Sequence, residues 1–434
     1  MLAYNKNNNS KKIGILTSGG DAPAMNAAIR AAVLCARGLG YDVIGIRDGY
    51  RGLVYDNMEL LLEGNVDNII DKSGSVLYSD RCNKFATPEG LKMAYDCCVK
   101  NNIVGLITIG GDGTLSGATE FSAKYGIPCI GLPGTIDNDL VTSDYTIGFD
   151  TAMNTVVSMI DNLRHTCDSH RRCNIIQVMG RGAGDIALFA GIASGAQAIL
   201  LKEIFFEKER SFGEVIERLE GYRRAGKHNF IVVMAEGIAL DLKYGKNIGS
   251  DLREDIQYYT GVTDSAEIAN NPAMLDQYNP KTEEERKTDS RKNKNLRVDY
   301  IETKYVSLEH TVRGGIPTLR DRQLASQMGV YGVKLLDEGK RDRVVCISDD
   351  KLVDYDIKWA LAADKQYKIL LNEPYANANL LSEDGLENHL KAQNRYAEFT
   401  KGMSDEDIAK ILPFCEAKLA AFREVYNTAE ILFR

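Results

Sequence analysis

Residues 12–48 read KIGILTSGGDAPAMNAAIRAAVLCARGLGYDVIGIRD, and this stretch decides the fold class. Short apolar runs at 12–18 and 42–48 predict two β-strands, and segment 22–40 carries apolar residues at helical spacing. Two strands joined through a helix form a parallel pair, because the crossover lets the second strand run in the same direction as the first. The sequence therefore predicts an α/β fold, in which ligands bind beyond the carboxyl ends of the strands.

The same alternation of strands and helices continues to about residue 240. The further predicted strands lie at 103–111, 127–134, 174–180, 198–203 and 229–237. The further predicted helices of this region lie at 151–167 and 212–227, and another is predicted later in the chain, at 321–339. From about 380 to 434 the pattern predicts two amphipathic helices, with Ser404 as the N-cap of the second. The stretch 279–295 is charged and almost without apolar residues, which indicates a surface insertion or a flexible loop.

Length and composition narrow the function classes. The chain has 434 residues, of which 44% are hydrophobic and 26% charged, enough for two or three domains with full cores. A net charge of −8 disfavours nucleic acid or an anionic membrane as a partner. Nine scattered cysteines without zinc-site spacing indicate reduced thiols and a cytoplasmic location. Residues 1–11 are a polar leader without the apolar core of a signal peptide.

Four glycine-containing turns follow predicted strands, at 17–26, 110–118, 133–139 and 179–185. Glycine lets a backbone approach a ligand closely, and the N-terminus of a helix offers free N–H groups to an anion. We expect a helix directly after each turn, so that the four together bind phosphate groups. For any single turn, a tight connection without a ligand is the simpler explanation, and the phosphate prediction depends on the four turns together.

Seven motifs carry a family resemblance. ILTSGGDAPAMNAAIR, GGDGT, GLPGTIDNDL, DYTIGFDTA, VMGRGAGD, MAEGI and EHTVRGG occur in this order. GGDGT alone also occurs in NAD kinases and diacylglycerol kinases, but the set resembles the 6-phosphofructokinase family over residues 12–360, apart from an insertion at 260–303.

The resemblance implies two Rossmann-like α/β lobes with mostly parallel sheets, which flank the active site. A large nucleotide-binding lobe would comprise 12–146 and 312–360, and a sugar-phosphate lobe 147–311. Outside the resemblance, the residue pattern predicts a helical C-terminal extension at 361–434 and a disordered leader at 1–11. The resemblance also implies a homotetramer with active sites shared between subunits.

The resemblance also implies the chemistry, which is transfer of a phosphoryl group from ATP to fructose 6-phosphate with Mg²⁺. Asp137 is similar to the general base that takes the proton of the sugar's 1-hydroxyl. Arg181 is similar to the arginine that stabilises charge on the transferred group, and Arg81 to the one that bridges the two phosphates. Asp112 and Asp139 resemble Mg²⁺ ligands, because hard carboxylate oxygens suit that ion. A turn or a helix cap is the alternative for Asp137 and Asp139.

Binding residues follow from the same motifs. The implied ATP contacts are Gly20, Tyr50, Arg81, Cys82, Phe85, Gly111, Asp112, Gly113, Thr114 and Gly117. The implied substrate contacts are Thr135, Asp137, Asp139, Arg172, Met179, Gly180, Arg181, Glu236, Lys304, His310 and Arg313. Thr135 also belongs to the implied catalytic set, Arg313 would hold the 6-phosphate, and Arg172 and Lys304 would reach a neighbouring subunit's site. Packing is the alternative for the two aromatic residues.

Two glycines bear on the phosphate donor. Pyrophosphate-using members of the family commonly carry Asp at the position of Gly113 and Lys at that of Gly134. Because glycine leaves room for the α-phosphate of a nucleotide, the sequence favours ATP. A pyrophosphate-dependent enzyme and a catalytically silent regulatory homologue are the alternatives.

An effector site is implied only in part. Bacterial relatives bind ADP or phosphoenolpyruvate in a basic pocket between subunits. Leu34 and Glu63 stand where arginines are usual, so we predict a degraded or differently tuned site. The matching residues are Arg30, Arg164, Glu203 as a magnesium ligand, Lys227 and His228.

Overall fold

The computed structural model describes residues 11–205, 212–243, 247–260 and 300–432. The predicted leader and insertion lie outside these ranges, apart from their end residues. The chain divides into two compact units. Unit 1 consists of Met1–Ala152, Arg313–Asp364 and Tyr396–Leu412, and unit 2 of Met153–Val312, Lys365–Arg395 and Pro413–Arg434.

The described residues contain eleven strands. They are β1 Lys12–Ser18, β2 Asp42–Ile46, β3 Met58–Leu61, β4 Ile103–Gly110, β5 Cys129–Pro133, β6 Cys173–Val178, β7 Ala198–Leu200, β8 Phe230–Ala235, β9 Thr303–Ser307, β10 Arg343–Ser348 and β11 Lys351–Asp356.

The helices of the described residues alternate with these strands and then close the chain. They are α1 Met25–Gly38, α2 Tyr50–Tyr55, α3 Glu63–Val66, α4 Pro88–Lys100, α5 Asp112–Tyr125, α6 Phe149–His170, α7 Asp185–Ala193, α8 Lys202–Phe205, α9 Phe212–Arg224, α10 Glu236–Asp241, α11 Ile248–Thr260, α12 Leu319–Asp337, α13 Ile357–Asn377, α14 Glu383–Thr400 and α15 Asp405–Leu432. A 3₁₀ helix covers Glu309–Arg313.

Unit 1 contains a seven-stranded sheet in the order β11-β10-β5-β4-β1-β2-β3. Its five inner strands are parallel, and the edge strands β3 and β11 pair antiparallel to their neighbours. Strand β1 is buried from Ile13 to Ser18, as expected for a central parallel strand covered on both faces. Because β1, β4 and β5 are adjacent and parallel, the turns that follow them lie at one edge of the sheet.

Helices α1 and α12 pack closely in unit 1. Their close approach requires a glycine at position 329, because a Cβ atom there would lie only 2.6 Å from the carbonyl oxygen of Ala28. Met25, Ala28 and Ala32 of α1 are fully buried. Full burial of a side chain as large as methionine contributes about 1.5–3 kcal/mol.

Unit 2 contains a four-stranded parallel sheet in the order β7-β8-β6-β9. Val232, Val233 and Met234 of β8 are fully buried, which fits a strand covered on both faces. Tyr375 and Leu381 belong to the same hydrophobic core. Helix α13 and the segment that follows it therefore contribute to the core of unit 2.

The predicted fold class is confirmed, and the structure corrects one local expectation. No helix follows the turn at 133–139 directly, because α6 begins only at Phe149. The prediction for Ser404 is confirmed, since its Oγ accepts a hydrogen bond from the N–H of Asp407 at 3.1 Å at the start of α15. None of the helices in the described ranges combines the length and the apolar character needed to cross a membrane.

Candidate active site

The turn after β1 is held by two neighbouring segments of unit 1. Gly19 has φ +88°, a conformation that favours glycine, and its carbonyl oxygen accepts a hydrogen bond from Ser79 Oγ at 2.7 Å. Arg313 donates to the carbonyl oxygen of Asp21 at 2.8 Å, and its Nη1 lies 3.1 Å from where a Cβ of Gly20 would be. The structure thus places the predicted residues Gly20 and Arg313 side by side.

The turn after β4 begins α5. Thr114 Oγ1 donates to the carbonyl oxygen of Ser18 at 2.9 Å, which ties this turn to the end of β1. A Cβ built on Gly113 would meet no described protein atom within 4 Å, so the space beside this exposed residue is open. The α5 N-terminus, with Gly111 as N-cap and Asp112 in the first turn, provides backbone N–H groups suited to phosphate oxygens.

Three of the predicted ATP contacts, Tyr50, Phe85 and Gly117, form a packed cluster. The rings of Tyr50 and Phe85 stack with centroids 4.0 Å apart, and both side chains are buried. The Tyr50 hydroxyl donates to the carbonyl oxygen of Thr114 at 2.6 Å, and burial raises the pKa of this phenol well above its usual value. A Cβ on Gly117 would lie 3.1 Å from Tyr50. These contacts account for the aromatic residues by packing, and their contact with a nucleotide stays a prediction.

Two other predicted nucleotide contacts lie near this cluster in sequence. Arg81 is exposed, and its backbone N–H donates to Asp80 Oδ1 at 2.7 Å. That hydrogen bond is the largest cause that lowers the pKa of Asp80. Cys82 is half-buried and packs against the hydrophobic core that contains Tyr50 and Phe85.

The turn after β5 has a defined internal structure. The N–H of Asp137 donates to Thr135 Oγ1 at 3.2 Å. Asn138 has φ +52° and accepts a hydrogen bond from the N–H of Thr146 at 3.1 Å. Thr135, Asp137 and Asp139 are all half-buried, and the first and last of them are 3.4 Å apart between Oγ1 and Oδ1. The two aspartates therefore lie in a turn and do not cap a helix.

The turns after β4 and β5 are in contact. The N–H of Gly134 donates to the carbonyl oxygen of Gly110 at 3.1 Å, and a Cβ on Gly111 would lie 3.8 Å from Thr135 Cβ. The structure brings the predicted residues at 111–114 and 135–139 together at the edge where β1 also ends. This edge is a candidate phosphate-binding and acid–base site.

Unit 2 carries the predicted sugar-phosphate residues after β6 and β8. Gly180 has φ +118°, and its N–H donates to Glu236 Oε1 at 3.3 Å, so the two strand ends are in contact. Arg181 Nε pairs with Asp241 Oδ1 at 3.0 Å. Met179 is half-buried at the same turn, and His310 is exposed in the 3₁₀ helix.

Asp241 is a residue that the sequence does not point to. Its side chain is 5% exposed, and it also pairs with Lys202 Nζ at 2.6 Å. Burial alone would raise the pKa of Asp241, but Lys202 and Arg181 outweigh it and hold the pKa below its usual value. Asp241 is therefore a buried carboxylate between two cations.

Arg172 directly precedes β6, and Lys304 lies on the neighbouring strand β9, where it pairs with Asn174. Both reach Glu302, at 3.7 Å from Arg172 and 2.9 Å from Lys304. The hydrogen bond from Lys304 is the largest cause that lowers the pKa of Glu302. The structure thus brings the two predicted basic residues together around a carboxylate that the sequence analysis did not identify.

The predicted effector residues have different surroundings. Glu203 is buried and accepts a hydrogen bond from the N–H of Gly184 at 2.6 Å, and burial raises the pKa of its carboxyl group. The pKa of Lys227 is lowered, mainly by burial and next by the charge of Arg164. His228 is exposed. Arg164 donates to the carbonyl oxygen of Ser194.

Two positions of the predicted effector set lie in unit 1. Arg30 is half-buried on α1. Glu63 pairs with Arg37 at 2.7 Å, and this hydrogen bond is the largest cause that lowers the pKa of Glu63. The acidic residue at 63 thus already binds a cation of its own unit.

The candidate site offers few protein ligands for a metal ion. No group of three or more His, Cys, Asp or Glu side chains that could hold a metal ion occurs within the described residues. Mg²⁺ is usually bound through one or two carboxylates together with water and substrate phosphates. Asp112, in the first turn of α5, and Asp139, in the turn after β5, are the two carboxylates predicted for such a site.

Glycine turns at the carboxyl edge of parallel strands, together with carboxylates and arginines, are typical of α/β proteins that bind phosphorylated ligands. The family model for phosphofructokinase matches residues 12–336. The chain belongs to the phosphofructokinase family, which confirms the family and the enzyme class expected from the sequence.

Named relatives agree with this membership. An ATP-dependent 6-phosphofructokinase of Clostridioides difficile is 41% identical over 372 residues, which are 86% of this chain and 99% of the relative. One of Bacillus subtilis is 42% identical over 347 residues, covering 80% of this chain and 92% of the relative. The solved phosphofructokinase of Saccharomyces cerevisiae has a TM-score of 0.66 and 26% identity and covers 90% of this chain. The chain spans half the length of that yeast chain.

Proposed function

We propose that this chain transfers the terminal phosphoryl group of ATP to the 1-hydroxyl of D-fructose 6-phosphate, giving fructose 1,6-bisphosphate and ADP in glycolysis. The observation that carries the proposal is the contact between the turns after β4 and β5, which places Asp112, Thr135 and Asp137 at one edge of the sheet. Its relatives of 41% and 42% identity are named ATP-dependent 6-phosphofructokinases.

The space beside Gly113 supports ATP as the donor. A side chain at this position would meet no described protein atom, so packing does not require glycine there. A nucleotide passing close to the backbone does require it, because any Cβ would occupy part of that space. Gly134 carries no such argument, since its Cβ would lie 2.9 Å from Met25 Cε and 3.0 Å from Ile109 Cγ2.

Asp137 is proposed as the general base and Arg181 as the cation that stabilises charge on the transferred group. The turn at 135–139 is fixed by hydrogen bonds from Asp137 N–H and Thr146, which position the carboxylate without a helix. A positioned base removes the hydroxyl proton, and a fixed guanidinium acts without reorganisation. Arg81, Arg172, Lys304, His310 and Arg313 are proposed to bind phosphate or sugar groups.

Asp112 and Asp139 are proposed to hold Mg²⁺ together with the donor phosphates. Bound there, the ion would neutralise charge on the phosphate oxygens. We further propose a cytoplasmic homotetramer, in which Arg172 and Lys304 act at the site of a second copy. All nine cysteines are free thiols, as expected in a reducing compartment.

The proposal is tested by a coupled assay for fructose 1,6-bisphosphate, with ATP or pyrophosphate offered as the donor at equal concentrations. We expect turnover with ATP, and turnover with pyrophosphate lower by at least about a hundredfold. Equal or faster turnover with pyrophosphate would assign the other donor. No product with either donor would remove the proposal.

The variant Asp137→Ser tests the base in the same assay. We expect kcat to fall by about 10²–10⁴-fold with little change in KM for fructose 6-phosphate, because a base acts in the transition state. Asn138→Asp, which alters the adjacent residue of the same turn, is the control for disturbance of the loop. An unchanged kcat in the serine variant would reject the role of Asp137.

A further inference from the structure

A buried ion triad in unit 2 ends at the proposed phosphate-binding arginine. Asp241 closes the short helix α10 and lies between Lys202 Nζ at 2.6 Å and Arg181 Nε at 3.0 Å. The side chains of Lys202 and Asp241 are each 5% exposed, whereas that of Arg181 is 40% exposed. The inner part of the triad is thus sealed, and only the guanidinium reaches outward.

Asp241 also forms hydrogen bonds with residues of the C-terminal segment. The N–H of Ser382 donates to the carbonyl oxygen of Asp241 at 2.9 Å, and Asn388 Nδ2 lies 3.5 Å from its Oδ1. A Cβ on Gly385 would lie 2.0 Å from that carbonyl oxygen, so α14 approaches the backbone of Asp241 as closely as glycine permits. Tyr375 binds the carbonyl oxygen of Lys202 from α13. Asp241 and Lys202 are therefore both hydrogen-bonded by residues of the C-terminal segment 375–388.

From these contacts we propose that Asp241 is a positioning residue for Arg181, and that the C-terminal helices belong to the catalytic architecture through it. The inference rests on the role proposed above for Arg181. Arg181 needs such a residue because a guanidinium on a long side chain has many rotamers, and its catalytic value depends on a fixed position. Asp241 binds Nε, which leaves the two terminal nitrogens of the fork available for phosphate oxygens.

The arrangement also explains why Asp241 stays charged. Lys202 and Arg181 together outweigh the effect of burial and keep the pKa of Asp241 below its usual value. A neutral side chain at 241 would keep the shape and lose the attraction for the guanidinium. Arg181 would then spend part of its time in other rotamers, which lowers kcat more than it changes substrate binding.

The test is a double-mutant cycle of Asp241→Asn and Arg181→Ala, measured as kcat and KM for fructose 6-phosphate with ATP. In the wild-type background we expect Asp241→Asn to lower kcat by about tenfold to a hundredfold, with KM changed by less than about threefold. In the Arg181→Ala background we expect no further loss, because the residue through which Asp241 acts is already absent. Equal losses in both backgrounds, or a kcat that stays the same or rises in the single variant, would overturn the proposal.

A second variant guards against misfolding, since Asp241→Asn leaves Lys202 buried without its counter-ion. Lys202→Met combined with Asp241→Asn removes both charges from the sealed pair and should show the same fall in kcat. Glu430→Gln is the matched control, because it breaks the ion pair of Arg218 with α15 at 3.2 Å in the same unit. This control should keep its kcat, and a fall equal to that of Asp241→Asn would mean a general loosening of the unit and would overturn the positioning role.

The two proposals fail in distinguishable ways. Wild-type protein without ATP-dependent activity on fructose 6-phosphate would overturn the proposed function and this inference with it. Active wild-type protein whose kcat is unaffected by Arg181→Ala would reject the role of Arg181. An active enzyme that needs Arg181, but in which the two substitutions act independently, would overturn only the positioning by Asp241.

Discussion

Gly113 and Gly134 are two glycines of unit 1 with different surroundings. Beside Gly113 there is open space, so packing does not account for its glycine, and contact with the donor nucleotide is the reason proposed above. At Gly134 a Cβ would lie within 3.0 Å of Met25 Cε and Ile109 Cγ2, and 3.3 Å from the backbone nitrogen of Gly110. Both residues are linked to the phosphate donor by family resemblance, but the structure supports that link only for the first.

Alanine substitutions at these two positions separate the explanations. We expect Gly134→Ala to lower the free energy of unfolding by about 1–3 kcal/mol, because neighbouring atoms must move to admit the methyl group. Gly113→Ala lies in the first turn of α5 and should leave stability unchanged or raise it slightly. Urea unfolding measures both, and equal destabilisation of the two variants would contradict the packing argument.

Gly113→Asp tests the ligand argument in the same position. We expect KM for ATP to rise by at least about tenfold, because the carboxylate would occupy nucleotide space and repel phosphate. KM for fructose 6-phosphate is the internal control and should change little. An unaltered KM for ATP would show that the space beside Gly113 is not used by the donor.

The sequence identified residues whose chemistry is visible in a short motif and missed those whose role depends on distant partners. Asp137 and Arg181 are predicted because they stand in motifs that resemble those of the family. Asp241 reads as an ordinary acidic residue at the end of a short segment, and its partners Lys202 and Asn388 are 39 and 147 positions away. Glu302 adjoins a charged stretch and reads as surface, although it binds both Arg172 and Lys304.

Helices α6 and α12 are joined at their N-termini by one carboxylate. Asp321 is fully buried and accepts hydrogen bonds from Gly148 N–H at 3.0 Å and Thr151 N–H at 2.8 Å, and from the Thr151 hydroxyl. Burial raises the pKa of Asp321 to about 6, against the lowering effect of these donors. The negative charge of nearby Asp150 also raises the pKa of Asp321. Asp150 itself accepts a hydrogen bond from Thr318 Oγ1 at 2.6 Å.

This pKa predicts a pH dependence of stability. The folded state binds the proton of Asp321 more tightly than the unfolded state, in which the carboxyl group has a pKa near 3.8. The resulting stabilisation is complete below about pH 4 and is lost as the pH rises through about 6, a change on the order of 3 kcal/mol. Urea unfolding of wild type and Asp321→Asn, from about pH 4.5 to 7.5, should show this component only in the wild type.

Asp350→Asn serves as the comparison for that measurement. Its carboxylate is 90% exposed and pairs with Arg320 at 3.4 Å, so its removal should alter the pH dependence little. If wild type and Asp321→Asn have parallel stability curves, the raised pKa of Asp321 is wrong.

The elements that periodicity predicted are those with long apolar patterns. Strand β1 begins and ends where its apolar run does, at Lys12–Ser18, and α12 lies within two residues of its predicted bounds. Strands β9 and β10 are not among the predicted strands, although β10 is buried, and neither are β3 and β11, which are half-exposed edge strands paired antiparallel. The pairing of β3 and β11 depends on the hairpin geometry beside β2 and β10, which apolar spacing does not encode.

At the scale of the whole molecule, regulation is expected to differ from that of effector-controlled relatives. By the family resemblance, Leu34 and Glu63 stand where arginines are usual, and Glu63 pairs with Arg37 at 2.7 Å. Glu203 is buried against Gly184 N–H, which occupies one of its carboxylate oxygens. A phosphate-bearing effector would meet fewer cations and one additional anion.

We therefore expect hyperbolic saturation by fructose 6-phosphate and a change of less than about twofold in its half-saturating concentration on addition of ADP. Initial rates at fixed ATP with increasing ADP measure this, with product inhibition at the donor site controlled by repeating the series at several ATP concentrations. Sigmoidal saturation that ADP relieves would show a working effector site.

Neither unit is a continuous piece of chain, and this has a consequence for biosynthesis. In unit 1, β5 pairs with β10 at Ile130 and Arg343, and Gly329 of α12 fits against Ala28 of α1. Contacts this distant in sequence are slow to form, and they cannot form before the later segment has left the ribosome. The apolar surfaces of the early strands therefore stay exposed while about 200 further residues are synthesised. We expect nascent chains that end before residue 343 to need chaperones or to be degraded.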